Sequence, residues 1–313
     1  MVDFMLSLNV VFPMFVYMAA GFCIRKAGLF SEEGFRKLGA FNFRCFIPLI
    51  LFYSIYNADL EDIFQHDVLI FSVVMILIIF FVAWALCMRL IKDRRNAVSI
   101  AQCIFHSNYV LFGLAIAGTL CKGNGLATVS ALAAVIVPVF NILAVILFSV
   151  TLKEKVHVGK LILDIFRNTL VDAGIIGVIF NLCGIHNLPQ IIDTPISVLG
   201  TMATPVALIA LGGIITFDSL RDHRHHLTLT VIIKLVIVPA IALIFAVLFG
   251  FRDDLLIVIL AIFAAPTDVG STPLANMLEG NSKLTGEIVA STSIFSLITI
   301  FLFTLVLSRF GFI

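Results

Sequence analysis

The sequence predicts an all-α membrane protein: ten transmembrane helices in two inverted five-helix repeats, with broken crossover helices in spans four and nine. Three observations carry this prediction. The chain is extremely apolar, its apolar runs number ten, and its second half matches its first when the chain is slid along itself by half its length.

Hydrophobic residues make up 61% of the 313 and charged residues 12%, with a mean hydropathy of +1.15. A soluble domain carries about 25% charged residues, so most of this chain faces lipid or other buried helices. A net charge of +1 argues against a nucleic-acid binder held by a basic face. There is no H-E-x-x-H, no G-x-S-x-G and no G-x-x-x-x-G-K-[ST], which removes the common hydrolase signatures and an ATP-driven pump acting alone. The six cysteines are scattered without a C-x-x-C pair and read as small apolar filler in helices.

A spanning helix takes about 20 apolar residues. By that measure spans fall near 4–24, 37–57, 67–90, 97–120, 126–151, 169–186, 194–217, 226–250, 254–278 and 285–308. The first reads as a span and not as a removable leader, because Asp3 and no Lys or Arg precede its apolar run. The expected division is a first repeat over 1–151, a cytoplasmic linker over 152–168 and a second repeat over 169–313.

Orientation follows from the basic residues. Fifteen of the twenty Lys and Arg residues lie in the turns after spans one, three, five, seven and nine, whereas Lys122, Arg252 and Arg309 lie on the opposite side. This bias places the odd-numbered turns in the cytoplasm and both termini outside the cell membrane. Loop 57–67, with Asp59, Glu61, Asp62 and Asp67 and no basic residue, fits the outer side. Residues His223, His225 and His226 fall in a cytoplasmic turn and read as a solvated loop, so no metal site is expected. Two cations, Arg44 and Lys234, fall within spans, near enough to their ends to snorkel or to meet a substrate carboxylate.

A shift of 157 residues lays Pro48 on Pro205, Gly113 on Gly270 and Gly123-Asn124 on Gly280-Asn281. A shift of 156 lays Gly21 on Gly177 and Gly28 on Gly184. Each match alone is cheap; together they put span two on span seven and span four on span nine. Five spans per half is an odd number, so the halves run in opposite directions, a common plan of secondary transporters.

The segment "AAPTDVGSTPLANMLEG", residues 264–280, then acquires a reason. It pairs with "SNYVLFGLAIAGTLCKGNG", residues 107–125, and both put glycine and polar groups in mid-span. Pro266 and Pro273 each remove a backbone donor and disfavour helix just before them. Non-helical backbone at membrane depth is tolerated only inside protein or along a wet cavity. Two facing breaks would present half-helix N-termini, with free N–H groups and partial positive charge, to an anion or ion. Asp268 is the sharpest residue of the segment, since a carboxylate within a span costs roughly 2.5–3.5 kcal/mol. It can bind sodium, carry a proton or cap a half-helix.

The pieces "FIPLILF" (46–52), "SNYVLFGLAIAG" (107–118), "PVALIALGGII" (205–215) and "APTDVGSTPLAN" (265–276) resemble the auxin efflux carrier family, which includes plant auxin exporters and bacterial malate and malonate permeases, and the resemblance covers essentially the whole chain. The fold is related to that of the bile acid:sodium symporters. The resemblance implies a carrier of small organic anions that works by alternating access. Spans one, two, six and seven would form a scaffold bundle against a crossover bundle of the others. The crossover would run over Asn108 to Gly113 and Pro266 to Pro273. Unlike the plant exporters, this chain has no proline in the span-four break.

The substrate-binding candidates are Asn108, Tyr109, Gly113, Thr267, Gly270, Ser271, Thr272 and Asn276. Asp268 is the candidate for ion or proton coupling, with H+ or Na+ as the ion, and no other cofactor is expected. Pro48, Pro205, Pro266 and Pro273 are the expected helix breaks or hinges. Arg44 is a candidate partner for the anion, Asn141 and Pro138 line the path or mark a kink, and His106, which could titrate in the physiological range, reads as a satisfied core residue. The polar residues at the breaks have a second reading as repair of freed backbone groups. A homodimer through the scaffold bundle is the expected assembly, with lipid and a small anion as the other partners and no nucleic acid. Two alternatives stand beside the carrier: a sodium-coupled symporter of larger amphipathic anions, and a membrane receptor that binds ligand without moving it.

Overall fold

The structure is a computed structural model that describes residues 2–57, 65–122, 125–152, 169–185, 188–214 and 224–313. The first half contains α1 (Val2–Lys26), α2 (Glu32–Arg44), α3 (Phe46–Tyr56), α4 (His66–Leu90), α5 (Arg94–Phe105), α6 (Tyr109–Leu120) and α7 (Gly125–Leu152). The second contains α8 (Thr169–Leu182), α9 (Gln190–Thr201), α10 (Ala203–Ile214), α11 (Arg224–Ile232), a π turn (Ile233–Ile237), α12 (Val238–Leu248), α13 (Asp253–Phe263), α14 (Ser271–Met277) and α15 (Ser282–Arg309). The expected linker, most of the acidic loop, and His223 with much of its turn lie outside the described residues.

Among the described residues, seven helices, with jointed pairs taken as one, are long and apolar enough to cross a membrane. The expected fourth and ninth spans are each divided in two, and the described helix of the sixth has 14 residues. Helix α4 illustrates a lipid-facing element. It buries Val68, Ser72, Met75, Ile76, Phe80 and Ala83 on one side and leaves Ile70, Val74, Ile78, Phe81 and Val82 exposed on the other. A helix apolar all round belongs in a hydrocarbon solvent.

Local chemistry sets the ends of the elements. The Ser31 hydroxyl accepts from the Gly34 N–H ahead of Glu32 and Glu33, and the Asp93 carboxylate accepts from Arg95 and Asn96. Pro48 and Pro205 are each the third residue of a second half-helix, after joints at Cys45 and Met202. A first-turn N–H has no intrahelical acceptor, so a proline costs little there.

The halves repeat their contacts. Gly28 and Gly184 both take positive φ, 72° and 69°, and close α1 and α8 in the same way. In each turn the glycine N–H bonds three residues back and the next residue's N–H bonds five back, to Ile24 and to Phe180. Helix α1 packs on α10 as α8 packs on α3. The point of closest approach also recurs. A Cβ on Gly21 would meet the Ile209 carbonyl, and one on Gly177 would meet Phe52, which lies 157 residues before Ile209.

Candidate functional site

The two broken helices meet. Helix α5 stops at Phe105 and α6 starts at Tyr109, while α13 stops at Phe263 and α14 starts at Ser271. Between them Ser107 and Thr267 form an antiparallel bridge. The Asn108 N–H donates to Pro266 O at 2.8 Å, and the Asp268 N–H donates to His106 O at 3.2 Å. Each break thus supplies the acceptors that the other lacks, which is what non-helical backbone in an apolar medium requires. The break in span four lies at 106–108, ahead of the expected Asn108 to Gly113, because Gly113 is within α6 and helical. A side chain there would press on the Tyr109 ring, whose hydroxyl donates to Val129 O at 2.9 Å.

Beside the crossing lies a cavity of about 860 Å³. Its wall includes Arg44, His106, Ser107, Asn108, Tyr109, Asn141, Asp268, Gly270, Thr272, Pro273 and Glu287. At its far end are Arg36, Ser282 and Lys283, and the Arg36 side chain is 59% exposed. The cavity therefore runs from the breaks to the end of the bundle where the basic turns after spans one and nine lie.

Not every candidate faces this space. Thr267 is fully buried as a strut: its hydroxyl donates to Cys103 O at 2.8 Å and its N–H to Thr292 Oγ1 at 3.2 Å. Ser271 is also fully buried, on the inner side of α14. Asn276 lies on the exposed last turn of α14, and Gly113, Pro48, Pro205 and Pro266 are likewise off the cavity wall. For Thr267 the repair of the break outweighs a ligand contact, because its two side-chain and backbone donors are already used.

Asp268 sits in the turn just ahead of α14. Its carboxylate accepts from the backbone N–H groups of Val269 and Gly270, ahead of α14, whose own cap is a glycine without a side chain. It remains 29% exposed to the cavity, with His106 Nε2 at 3.9 Å. Helix α6 is different. Its cap, Asn108, makes no side-chain bond to the first turn, and Asn108 Nδ2 is buried without a hydrogen-bond partner. The first backbone donor to bond back is Phe112, to Asn108 O, so the donors ahead of it have no acceptor within the helix.

Sequence reasoning placed Lys234 near a span end, where it could snorkel. It does not: its side chain is fully buried, and its ammonium donates to Ser107 Oγ at 2.5 Å. The π turn carries it inward, since the extra residue rotates the helix face and Pro239, five residues on, lacks the donor that a regular turn needs. Glu287 was missed. It is a second carboxylate in the bundle, 4% exposed on the cavity wall, and an acid within the last apolar span was its signal.

A polytopic helical protein with a polar crossing beside a cavity has the parts of a membrane transporter. The family model described as "Membrane transport protein" matches two adjacent segments, residues 6–160 and 154–304, and the chain belongs to this family, the auxin efflux carrier family that its sequence resembles. No curated protein matches the chain.

Proposed function

We propose that the protein is a secondary carrier of small organic anions, dicarboxylates or auxin-like monocarboxylates, moved by alternating access around the crossing. The observation that carries this reading is the open N-terminus of α6, with the unpartnered Asn108 amide at the cavity wall. Free N–H groups and the positive end of a helix dipole hold a carboxylate without any fixed cation. Arg44, exposed on the same wall and in no ion pair among the described residues, is the anchor for a second carboxylate.

The architecture proposed is ten spans in two inverted halves. The repeated turns at Gly28 and Gly184 and the reciprocal packing of α1 and α8 support it. The jointed spans two and seven, with α1 and α8, form the scaffold, and the remaining helices carry the crossing. The cavity mouth at Arg36 and Lys283 then faces the cytoplasm, and its basic residues steer anions inward. A cell-membrane location with both termini outside, a scaffold-mediated homodimer, and coupling to H+ or Na+ through Asp268 belong to the same proposal.

The test is uptake of radiolabelled malate, malonate and indole-3-acetate into proteoliposomes, with and without imposed proton and sodium gradients. Saturable uptake of one acid is the expected result. Binding without flux would favour the receptor reading, and sodium-dependent uptake confined to larger amphipathic anions would favour the symporter. Asn108→Ala is expected to weaken anion binding at least tenfold in a direct titration, since a hydrogen bond to a charged group is worth about 1.5–3 kcal/mol and 1.4 kcal/mol is tenfold. Unchanged affinity would remove the α6 terminus from the site.

A further inference from the structure

Lys234 has no role in the cavity: it is absent from its wall and fully buried. Its amine nonetheless reaches Ser107, one half of the bridge that joins the two breaks. The π turn that carries it packs on α5 and α15. Two negative features converge on the ammonium. One is the C-terminal end of α5, two residues before Ser107, where the helix dipole is negative. The other is the Asp268 carboxylate, which interacts electrostatically with Lys234 across the crossing. A buried ammonium is expensive unless such groups surround it. The position 157 residues earlier, where the first half would hold an equivalent charge, is Leu77. The cation is a feature of one side of the crossing only.

We propose that Lys234 is a tethered cation that locks the crossing from behind. Its ammonium fills the place where negative helix ends and a carboxylate would otherwise require a free metal ion, and it holds Ser107 so that Asn108 presents its amide to the cavity. It is a positioning residue and acts on the anion through Ser107 and Asn108. This inference rests on the carrier reading for its functional meaning, but its physical content does not depend on flux.

The test therefore uses melting of the purified full-length protein in detergent, followed by the fluorescence of Trp84. Lys234→Ala is expected to melt roughly 10 °C below the wild type, because a buried hydrogen bond is lost and a cavity is left in its place. Adding n-propylammonium, which restores the three carbons and the ammonium removed, is expected to recover about half of that loss, whereas 1-propanol recovers none. Lys234→Met, which fills the space without charge, is expected to melt low and to ignore n-propylammonium.

Two results would each overturn the proposal: Lys234→Met melting with the wild type, or equal rescue of Lys234→Ala by 1-propanol. Rescue by the amine in a protein that moves no anion in liposomes would keep Lys234 as the lock and reject the carrier. Flux with a wild-type-like Met variant would do the reverse.

Discussion

Asp268→Asn is expected to hold its anion as tightly as the wild type, or more tightly, and to move it at least 100-fold more slowly. The amide oxygen of asparagine can still accept from Val269 and Gly270, so the turn ahead of α14 keeps its bonds and the protein keeps its fold. What disappears is the charge. The carboxylate balances the buried Lys234 and faces His106 at 3.9 Å, so its loss leaves a cation uncompensated at the crossing. A charge at membrane depth is worth about 3 kcal/mol, which corresponds to roughly a hundredfold. The distinguishing measurement is a pair: anion titration and initial uptake rate on the same preparation. Wild-type uptake with the same gradient dependence would remove Asp268 from the mechanism, whereas weakened binding alone would make it a contact and not a coupling group.

Gly21→Ala is expected to prevent assembly or to lower the melting temperature far more than Gly177→Ala does. A Cβ at Gly21 would lie 1.9 Å from the Ile209 carbonyl oxygen and 2.9 Å from the Gly213 nitrogen. Both obstacles are backbone, so no rotamer change relieves them. From the facing side, a Cβ on Gly212 would lie 2.0 Å from Met18 O. Helices α1 and α10 are therefore in backbone contact, which in lipid is a main source of helix association. Overpacking a core usually costs about 1–3 kcal/mol, and a backbone clash of this size belongs above that range. Gly177→Ala is the built-in comparison. Its nearest neighbours are the Ile55 side chain at 3.1 Å and Phe52 O at 3.2 Å, which need to yield only a few tenths of an ångström. Size-exclusion profiles and melting of the two variants side by side check the claim, and equal behaviour would contradict it.

How much of this was legible depends on the scale of the signal. The paired turns were readable because glycine and proline are chosen by backbone geometry. The pair Gly28 and Gly184 takes the same positive φ, and the pair Pro48 and Pro205 stands at the same first-turn position. The break in span nine was readable for the same reason, since Pro266, Gly270 and Pro273 interrupt an apolar run. The break in span four has no proline, and its location is fixed by its partner: His106 to Asn108 are non-helical because Pro266 and Asp268 bond to them. A tertiary contact of that kind leaves no mark in the local sequence. Side-chain direction was the other hidden quantity. Thr267 and Thr272 look equivalent as hydroxyls, yet one is a strut in the crossing and the other lines the cavity. Lys234 was flagged by its position inside a span, but its burial depends on the π turn, and one extra residue in a turn cannot be read from an apolar run.

The reciprocal seating of α1 on α10 and of α8 on α3 has a consequence for how the protein is made. Helix α1 leaves the ribosome well before its partner α10, which lies in the second half of the chain. At about 5–20 residues per second, α1 waits on the order of ten seconds for α10, with its glycine face turned to lipid or to an insertion chaperone. Neither half is self-sufficient, yet each carries what the other is missing. Two separate polypeptides cut between residues 153 and 168 are therefore expected to be degraded when made alone and to accumulate together when made in one cell. Quantitative blotting of membranes from the single and paired expressions reads this directly, and a first half that persists by itself would show that the seat is optional.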